Sequence, residues 1–85
     1  MSAQLSEEEM DILTAIMEGG DQTTYDKIGA GLKFLSGATD IEENKLKIVL
    51  KKLVKDRYVE HRFFSDGTDD YILREKGMET VNANL

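Results

Sequence analysis

The segment RFFSDGTDDYIL, from Arg62 to Leu73, constrains the fold most, because it predicts two antiparallel strands joined by a turn. Aromatic and β-branched residues stand at both ends, and the polar, glycine-containing stretch between them is typical of a hairpin. Three acidic residues, Asp66, Asp69 and Asp70, lie in or beside this turn. A hairpin has to bury one face, so the remainder of the chain must supply the layer that covers it.

The N-terminal part of the chain predicts a first helix. Ser6 and Glu9 have the spacing of a capping box, in which each side chain bonds the other residue's backbone N–H. Apolar residues then recur at helical spacing. They are Met10, Ile12, Leu13, Ile16 and Met17. Gly19-Gly20 is predicted to end the helix, since glycine adopts the left-handed C-cap conformation without a Cβ clash.

A second helix is predicted to begin at TTYD, where Thr23 and Asp26 form another capping-box pattern. Gly29 and Gly31 would lie inside this helix. Each glycine costs roughly 1 kcal/mol relative to alanine, so we expect another backbone to approach closely at one of them. The next stretch, SGATD, has the composition of a loop. The apolar face of this helix would comprise Ile28, Leu32 and Leu35.

A third helix is predicted to start at a D-x-x-E box, Asp40 and Glu43, and to run to about Asp56. Its buried stripe would be Leu46, Val49, Leu50 and Leu53. At 100° per residue, the opposite side carries a different set. That set is Asn44, Ile48, Lys51 and Lys55, flanked by Lys45, Lys47 and Lys52.

A short C-terminal helix, at about residues 74–81, would add Met78 and Val81 to the core. The predicted order is therefore three helices, a hairpin and a short helix. This order predicts an α+β fold in one domain, residues 6–81, with short tails at 1–5 and 82–85.

These elements resemble the winged helix-turn-helix family of DNA-binding regulators over about residues 6–78. TTYDKIGAGL looks like the first helix of the helix-turn-helix, with Gly29 where the two helices cross. ENKLKIVLKKLVKDRYVE looks like the recognition helix and first wing strand. YILREKG is similar to the second wing strand and the start of the last helix, with Arg74 where the family commonly has Thr. The resemblance implies a three-helix bundle, a two-stranded wing and a C-terminal helix.

Two departures from the family bear on function. The stretch between the two helices, KFLSGATD, is longer than the family's usual turn, so the recognition helix is expected at a different angle. The wing tip is acidic where many family members place Arg or Lys. An acidic loop beside phosphates is repelled, so we expect the wing to add little to DNA binding.

Charge is unevenly distributed along the chain, whose formal net charge is −6. Residues 1–26 hold seven acidic residues and no Lys or Arg, whereas residues 44–62 hold seven basic and two acidic residues. The resemblance and this basic segment together predict duplex DNA binding by the third helix, in a small transcriptional regulator. Lysines would contact phosphates, and residues near the helix start would reach base edges. The candidate residues are Asn44, Lys45, Lys47, Ile48, Lys51, Lys52 and Lys55.

The alternative function is a protein–protein interaction module in a larger assembly, with no DNA role. Ile48 would then anchor an interface, or the turn or wing would cover it. Phe63 and Phe64 point to opposite faces of their strand, so one ring is expected in the core. The other ring would bind a protein partner or, as we favour, pack on the return strand through Tyr71. The resemblance to DNA-binding regulators also implies a two-fold homodimer, for which Ile12 and the C-terminal segment would offer apolar surface.

Enzyme, metal and cofactor functions have little support in the sequence. It contains no cysteine, its one histidine is His61, and it has no carboxylate pair at ligand spacing. We therefore expect no catalytic residues, no metal and no cofactor. Apolar runs are too short to span a membrane. A cytoplasmic location follows, associated with the nucleoid or nucleus if the protein binds DNA.

Overall fold

The computed structural model describes residues 5–22, 28–63 and 69–83. Within these ranges the elements are α1 (Glu7–Gly19), β1 (Asp21–Gln22), β2 (Ile28–Ala30), α2 (Leu32–Thr39), α3 (Glu43–Lys55), β3 (Val59–Phe63), β4 (Asp69–Leu73) and α4 (Glu75–Ala83). The strands form one antiparallel sheet in the order β1-β2-β4-β3. The predicted α+β arrangement of three helices, a hairpin and a C-terminal helix is confirmed. The strands β1 and β2 were not predicted.

One hydrophobic core joins the helices to the sheet. Its fully buried side chains include Ile12, Leu13, Ile16, Leu35, Leu46, Leu50, Leu53, Val59, Ile72, Leu73 and Val81. Burying such a side chain stabilises the fold by about 1.5–3 kcal/mol, which is why the apolar stripes determine how the elements pack. Val49, predicted for the buried stripe of the third helix, is partly buried at the edge of this core.

The predicted capping box of α1 is present. Ser6 Oγ accepts a hydrogen bond from the Glu9 N–H at 3.2 Å, and Glu9 Oε1 accepts one from the Ser6 N–H at 2.9 Å. The helix ends at the predicted glycines, but Gly20 is extended rather than left-handed. A Cβ at Gly20 would lie 2.8 Å from the carbonyl oxygen of Gly29. Glycine is needed at residue 20 because the backbone of β2 passes close to it.

The second helix begins later than predicted. Residues 28–30 form β2, in which Gly29 pairs with Asp21 and Ile72, so Gly29 and Gly31 do not lie inside a helix. The placement of Gly29 at a helix crossing is therefore wrong as well. Two glycines lower helix propensity here, and pairing with β4 supplies the backbone hydrogen bonds that a helix would have made. Thr23 and Asp26 lie outside the described residues.

The predicted loop SGATD is helical up to Thr39, whose hydroxyl donates to the Leu35 carbonyl at 2.6 Å. Asp40 has a left-handed backbone, and its N–H bonds the Ser36 carbonyl at 3.0 Å. Asp40 therefore ends α2 instead of starting α3. Glu42 is the N-cap of α3 and makes no side-chain capping bond. The connection between α2 and α3 is thus Asp40–Glu42, and the prediction of an extended turn is wrong.

The last helix, α4, runs from Glu75 to Ala83, two residues past its predicted end. Val81 is buried and Met78 packs against the core, as predicted. A Cβ at Gly77 would lie 2.7 Å from Leu73 Cδ1, so glycine lets α4 pack closely on the end of β4. No helix in the described ranges is both long and apolar enough to cross a membrane.

Candidate nucleic-acid interface

The outward side of α3 is the most basic helical surface that the structure describes. Leu46, Leu50 and Leu53 face the core and fix the rotation of the helix. Five residues lie on the opposite side and are exposed: Asn44, Lys47, Ile48, Lys51 and Lys55. Ile48 is 71% exposed, so the alternative in which the turn or the hairpin covers it is wrong. We call these five residues the α3 face.

Three lysines form a row along the α3 face. Lys47, Lys51 and Lys55 follow one another at intervals of four residues, or about 6 Å along the helix. Like charges at this spacing destabilise a helix by about 0.2–0.5 kcal/mol per pair. None of the three makes an ion pair with any residue that the structure describes. The row is therefore available to bind an anion, and such binding would relieve the repulsion.

Two further lysines of the predicted site lie on a different side of α3. Lys45 Nζ is 2.8 Å from Glu8 Oε2, and Lys52 Nζ is 3.8 Å from Glu9 Oε2. Both ion pairs link α3 to the first turn of α1. The structure therefore divides the predicted site, with Lys45 and Lys52 facing α1 and the remaining residues facing outward.

Acidic residues surround the start of α3. Glu42 and Glu43 are exposed there, and the Asn44 side-chain amide donates to Glu42 Oε1 at 3.3 Å. Carboxylates at a helix N-terminus stabilise the helix dipole, but they repel a phosphate placed beside them. Positive charge accordingly lies on the middle and last turns, from Lys47 to Lys55.

An aromatic stack crosses the hairpin. The His61 ring lies 4.4 Å from the Tyr71 ring at an interplanar angle of 9°, and its Nε2 is 2.7 Å from Asp69 Oδ2. The Phe63 ring contacts His61, with centroids 4.3 Å apart, and remains 76% exposed. Phe63 thus packs on His61 of its own strand, and most of its ring faces outward. The favoured prediction for an exposed ring was packing on Tyr71 of the return strand. Phe64 and Asp66 lie outside the described residues.

Burial, followed by the negative charge of Asp69, raises the pKa of the Tyr71 hydroxyl above its usual value of 10.0. The phenol is therefore neutral at physiological pH. The described part of the hairpin presents Asp69, Asp70 and an aromatic surface, with Arg62 and Glu60 paired along β3.

Comparison with solved structures identifies the architecture. Bordetella bronchiseptica BpsR, described as having its DNA binding regulated by 6-hydroxynicotinic acid, superposes with a TM-score of 0.81 at 16% identity, over 95% of this chain and 53% of that one. A MarR-family transcriptional regulator from Silicibacter pomeroyi gives 0.77 at 18% identity, over 93% and 49%. A MepR-like protein in complex with pseudoligands gives 0.76 at 16% identity, over 92% and 51%.

The chain has a winged-helix fold. It spans about half the length of these solved structures. No protein-family model matches the sequence, and the search of curated proteins gives no match either. In winged-helix terms, α2 and α3 form the helix-turn-helix, α3 occupies the position of its second helix, and β3 with β4 is the wing.

One residue of the proposed homodimer surface is excluded. Ile12, expected to offer apolar surface for a homodimer, has no exposed area and lies in the core. Ile12 is buried because α1 packs against the helices α2, α3 and α4 and also against the strands β2 and β4, so its buried side is wider than one helical stripe.

Sequence reasoning also missed an exposed aromatic residue. Phe34 is 44% exposed on α2, beside a groove between α1 and α2. The sequence analysis predicts that this helix starts at residue 23 and that a loop begins at residue 36. This prediction does not identify the side of the helix on which Phe34 lies. The signal that could have identified it is the i, i+4 pair of Phe34 and Ala38.

Proposed function

We propose that the protein binds duplex DNA by inserting α3 into the major groove, and that it acts as a small transcriptional regulator. The observation that carries the proposal is the row Lys47, Lys51 and Lys55, exposed and without ion pairs in the described chain. Helix-turn-helix proteins place their second helix in the major groove with its N-terminal residues near base edges. The lysines are assigned to phosphates, Asn44 to a base edge, and Ile48 to a thymine methyl group.

Lys45 and Lys52 take a different role in this proposal. Their ion pairs with Glu8 and Glu9 direct them toward α1, so they position the recognition helix rather than contact phosphate. The wing adds little affinity, because Asp69 and Asp70 lie on β4 near its tip and repel the DNA backbone.

The test is fluorescence anisotropy with a labelled mixed-sequence duplex across a range of salt concentrations. If three lysines each neutralise one phosphate, the log–log salt slope is about −2.7, from roughly 0.9 per contact. Replacing Lys47, Lys51 and Lys55 together by Gln should bring the slope close to zero.

Lys45→Gln is the matched control, because it removes one charge from the same helix on the side that faces α1. It should leave the slope within about 0.5 of the wild-type value. A wild-type protein that does not bind duplex DNA even at low salt would exclude this function. Equal slopes for wild type and the triple variant would exclude α3 as the phosphate-contacting surface.

The exposed ring of Phe63 favours a second candidate, a winged helix that binds a protein partner through its wing. Large exposed aromatic side chains are frequent anchors of protein interfaces. Under this hypothesis Phe63→Ser abolishes partner binding while the Lys-to-Gln triple variant retains it. Under the DNA hypothesis, the Lys-to-Gln triple variant loses DNA binding and Phe63→Ser retains it.

A further inference from the structure

An open groove of about 490 Å³ lies between α1 and α2. Its lining residues are Asp11, Thr14, Ala15, Glu18, Gly19, Phe34, Ala38 and Thr39. Most of these side chains are small, so the floor is shallow and the Phe34 ring is its one large apolar surface. The groove lies outside the α3 face, and the proposed DNA contacts do not use it.

Gly19 explains how Phe34 comes to lie in this groove. A Cβ at Gly19 would overlap the Phe34 ring, reaching within 3.2 Å of Cε2. Glycine thus lets the ring rest on the last turn of α1 while 44% of the residue stays exposed. An aromatic ring supported on one side and open on the other can accept an apolar side chain.

The rim of the groove is acidic. Asp11 and Glu18 line it, and Glu7 continues the same side of α1 one turn earlier, since residues 7, 11 and 18 share one helix face. None of the three makes an ion pair within the described chain. α1 itself contributes no Lys or Arg to this rim. The groove is suited to an apolar side chain surrounded by positive charge.

The α3 face has this complementary character. Ile48 is 71% exposed, and Lys47, Lys51 and Lys55 are exposed on the same side of α3. We propose that the α1–α2 groove of one molecule binds the α3 face of a second copy, with Ile48 against Phe34 and lysines beside Asp11 and Glu18. A two-fold contact of groove with groove is disfavoured, because it would bring the same carboxylates together.

Because two different surfaces meet, the contact is heterologous and head-to-tail, and it leaves one free groove and one free α3 face at the ends of each assembly. A single apolar anchor with charged neighbours makes a small interface, so the association is weak and salt-sensitive. It also covers the α3 face, so self-association and DNA binding exclude each other. The exclusion rests on the proposed function, whereas the self-association does not.

Two exposed substitutions test this proposal by sedimentation velocity at low salt. Phe34→Lys blocks the groove, and Ile48→Glu blocks the helix face. Wild type should show a sedimentation coefficient that rises with concentration, and each variant alone should be monomeric. An equimolar mixture of the two variants should form a 1:1 complex, because each supplies the surface that the other lacks.

Circular dichroism of each variant confirms that the fold is retained. A wild type that stays monomeric at every concentration, or variants that fail to complement each other, overturns the proposal. Self-association that survives both substitutions also overturns it, since it uses another surface. Adding duplex DNA should dissociate the wild-type assembly. If the protein does not bind DNA at all, complementation still reports on the groove, so failure of the two proposals is distinguishable.

Discussion

Lys52 Nζ lies 3.8 Å from Oε2 of Glu9, an oxygen that accepts no hydrogen bond from the part of the chain that the structure describes. Glu9 is 5% exposed, and its other oxygen caps α1 by accepting from the Ser6 N–H. An ionised carboxylate without water or counter-charge is unfavourable in a protein interior. Lys52 supplies the counter-charge, so one carboxylate both caps α1 and holds it against α3.

The first prediction concerns this pair. Lys52→Gln should lower the free energy of unfolding by about 1–2 kcal/mol, because the buried carboxylate loses its counter-charge. The loss stays below that of a fully buried pair since Lys52 itself is largely exposed. Urea denaturation measures it. Lys45→Gln is the control and should cost less than about 0.5 kcal/mol, as its partner Glu8 is half-exposed. Equal losses in the two variants would contradict this role for Lys52.

Two glycines give opposite expectations for substitution by alanine. Gly77→Ala should destabilise the protein by about 1–3 kcal/mol, since the new Cβ overlaps Leu73 Cδ1 and the Tyr58 carbonyl oxygen. Gly37→Ala should stabilise it by about 0.5–1 kcal/mol, because Gly37 lies in α2 with no atom within 4 Å of the added Cβ. Thermal melts of both variants provide the comparison, and a stable Gly77→Ala variant would exclude close packing of α4 on the hairpin.

Ile48 and the lysines of the α3 face should differ in how they affect DNA binding. Ile48→Ala should weaken binding to a duplex selected from a random pool by about threefold to tenfold, with the salt slope unchanged, because no phosphate contact is lost. On unselected duplex its affinity should match that of the wild type. Anisotropy titrations on both duplexes measure this, and an equal loss on the two would assign Ile48 to general backbone contact.

Tyr71 should make stability depend on pH in the alkaline range. Its pKa is raised in the folded state, so folding favours the protonated phenol. This contribution is complete below pH 10.0, the pKa of an unperturbed tyrosine, and is lost as pH rises through the higher folded value. Tyr71→Phe should therefore lose less stability than wild type between neutral pH and the pH range above 10.0. Parallel denaturation curves at each pH test this, and identical pH dependence in the two proteins would contradict it.

The elements predicted correctly are those that local signals specify. Ser6 and Glu9 define the start of α1, the leucine spacing defines α3, and the aromatic-rich segments around the turn define the hairpin. None of these requires knowledge of distant residues. The orientation of the leucine stripe also placed Asn44, Lys51 and Lys55 correctly on the exposed side of α3, whereas it left the exposure of Ile48 open.

The predictions that failed depend on pairing between distant segments. Residues 28–30 form a strand because Gly29 pairs with Ile72 and Ala30 with Tyr71, more than 40 positions away in the chain. Because the second helix was predicted to start too early, its end was predicted too early as well. The residues after that predicted end were therefore interpreted as a long turn. The ion pairs of Lys45 and Lys52 with α1 were not predicted either, because they depend on where α1 lies, which α3's own periodicity cannot specify.

The sheet order has a mechanical consequence for the helix-turn-helix. Because β4 pairs with both β3 and β2, the wing is hydrogen-bonded to β2. Its two chain ends are therefore not its only attachment to the rest of the fold. Ala30 ends β2, Gly31 caps α2, and the helix begins at Leu32. A displacement of the wing would therefore reach the first turn of α2 through a single linking residue, Gly31.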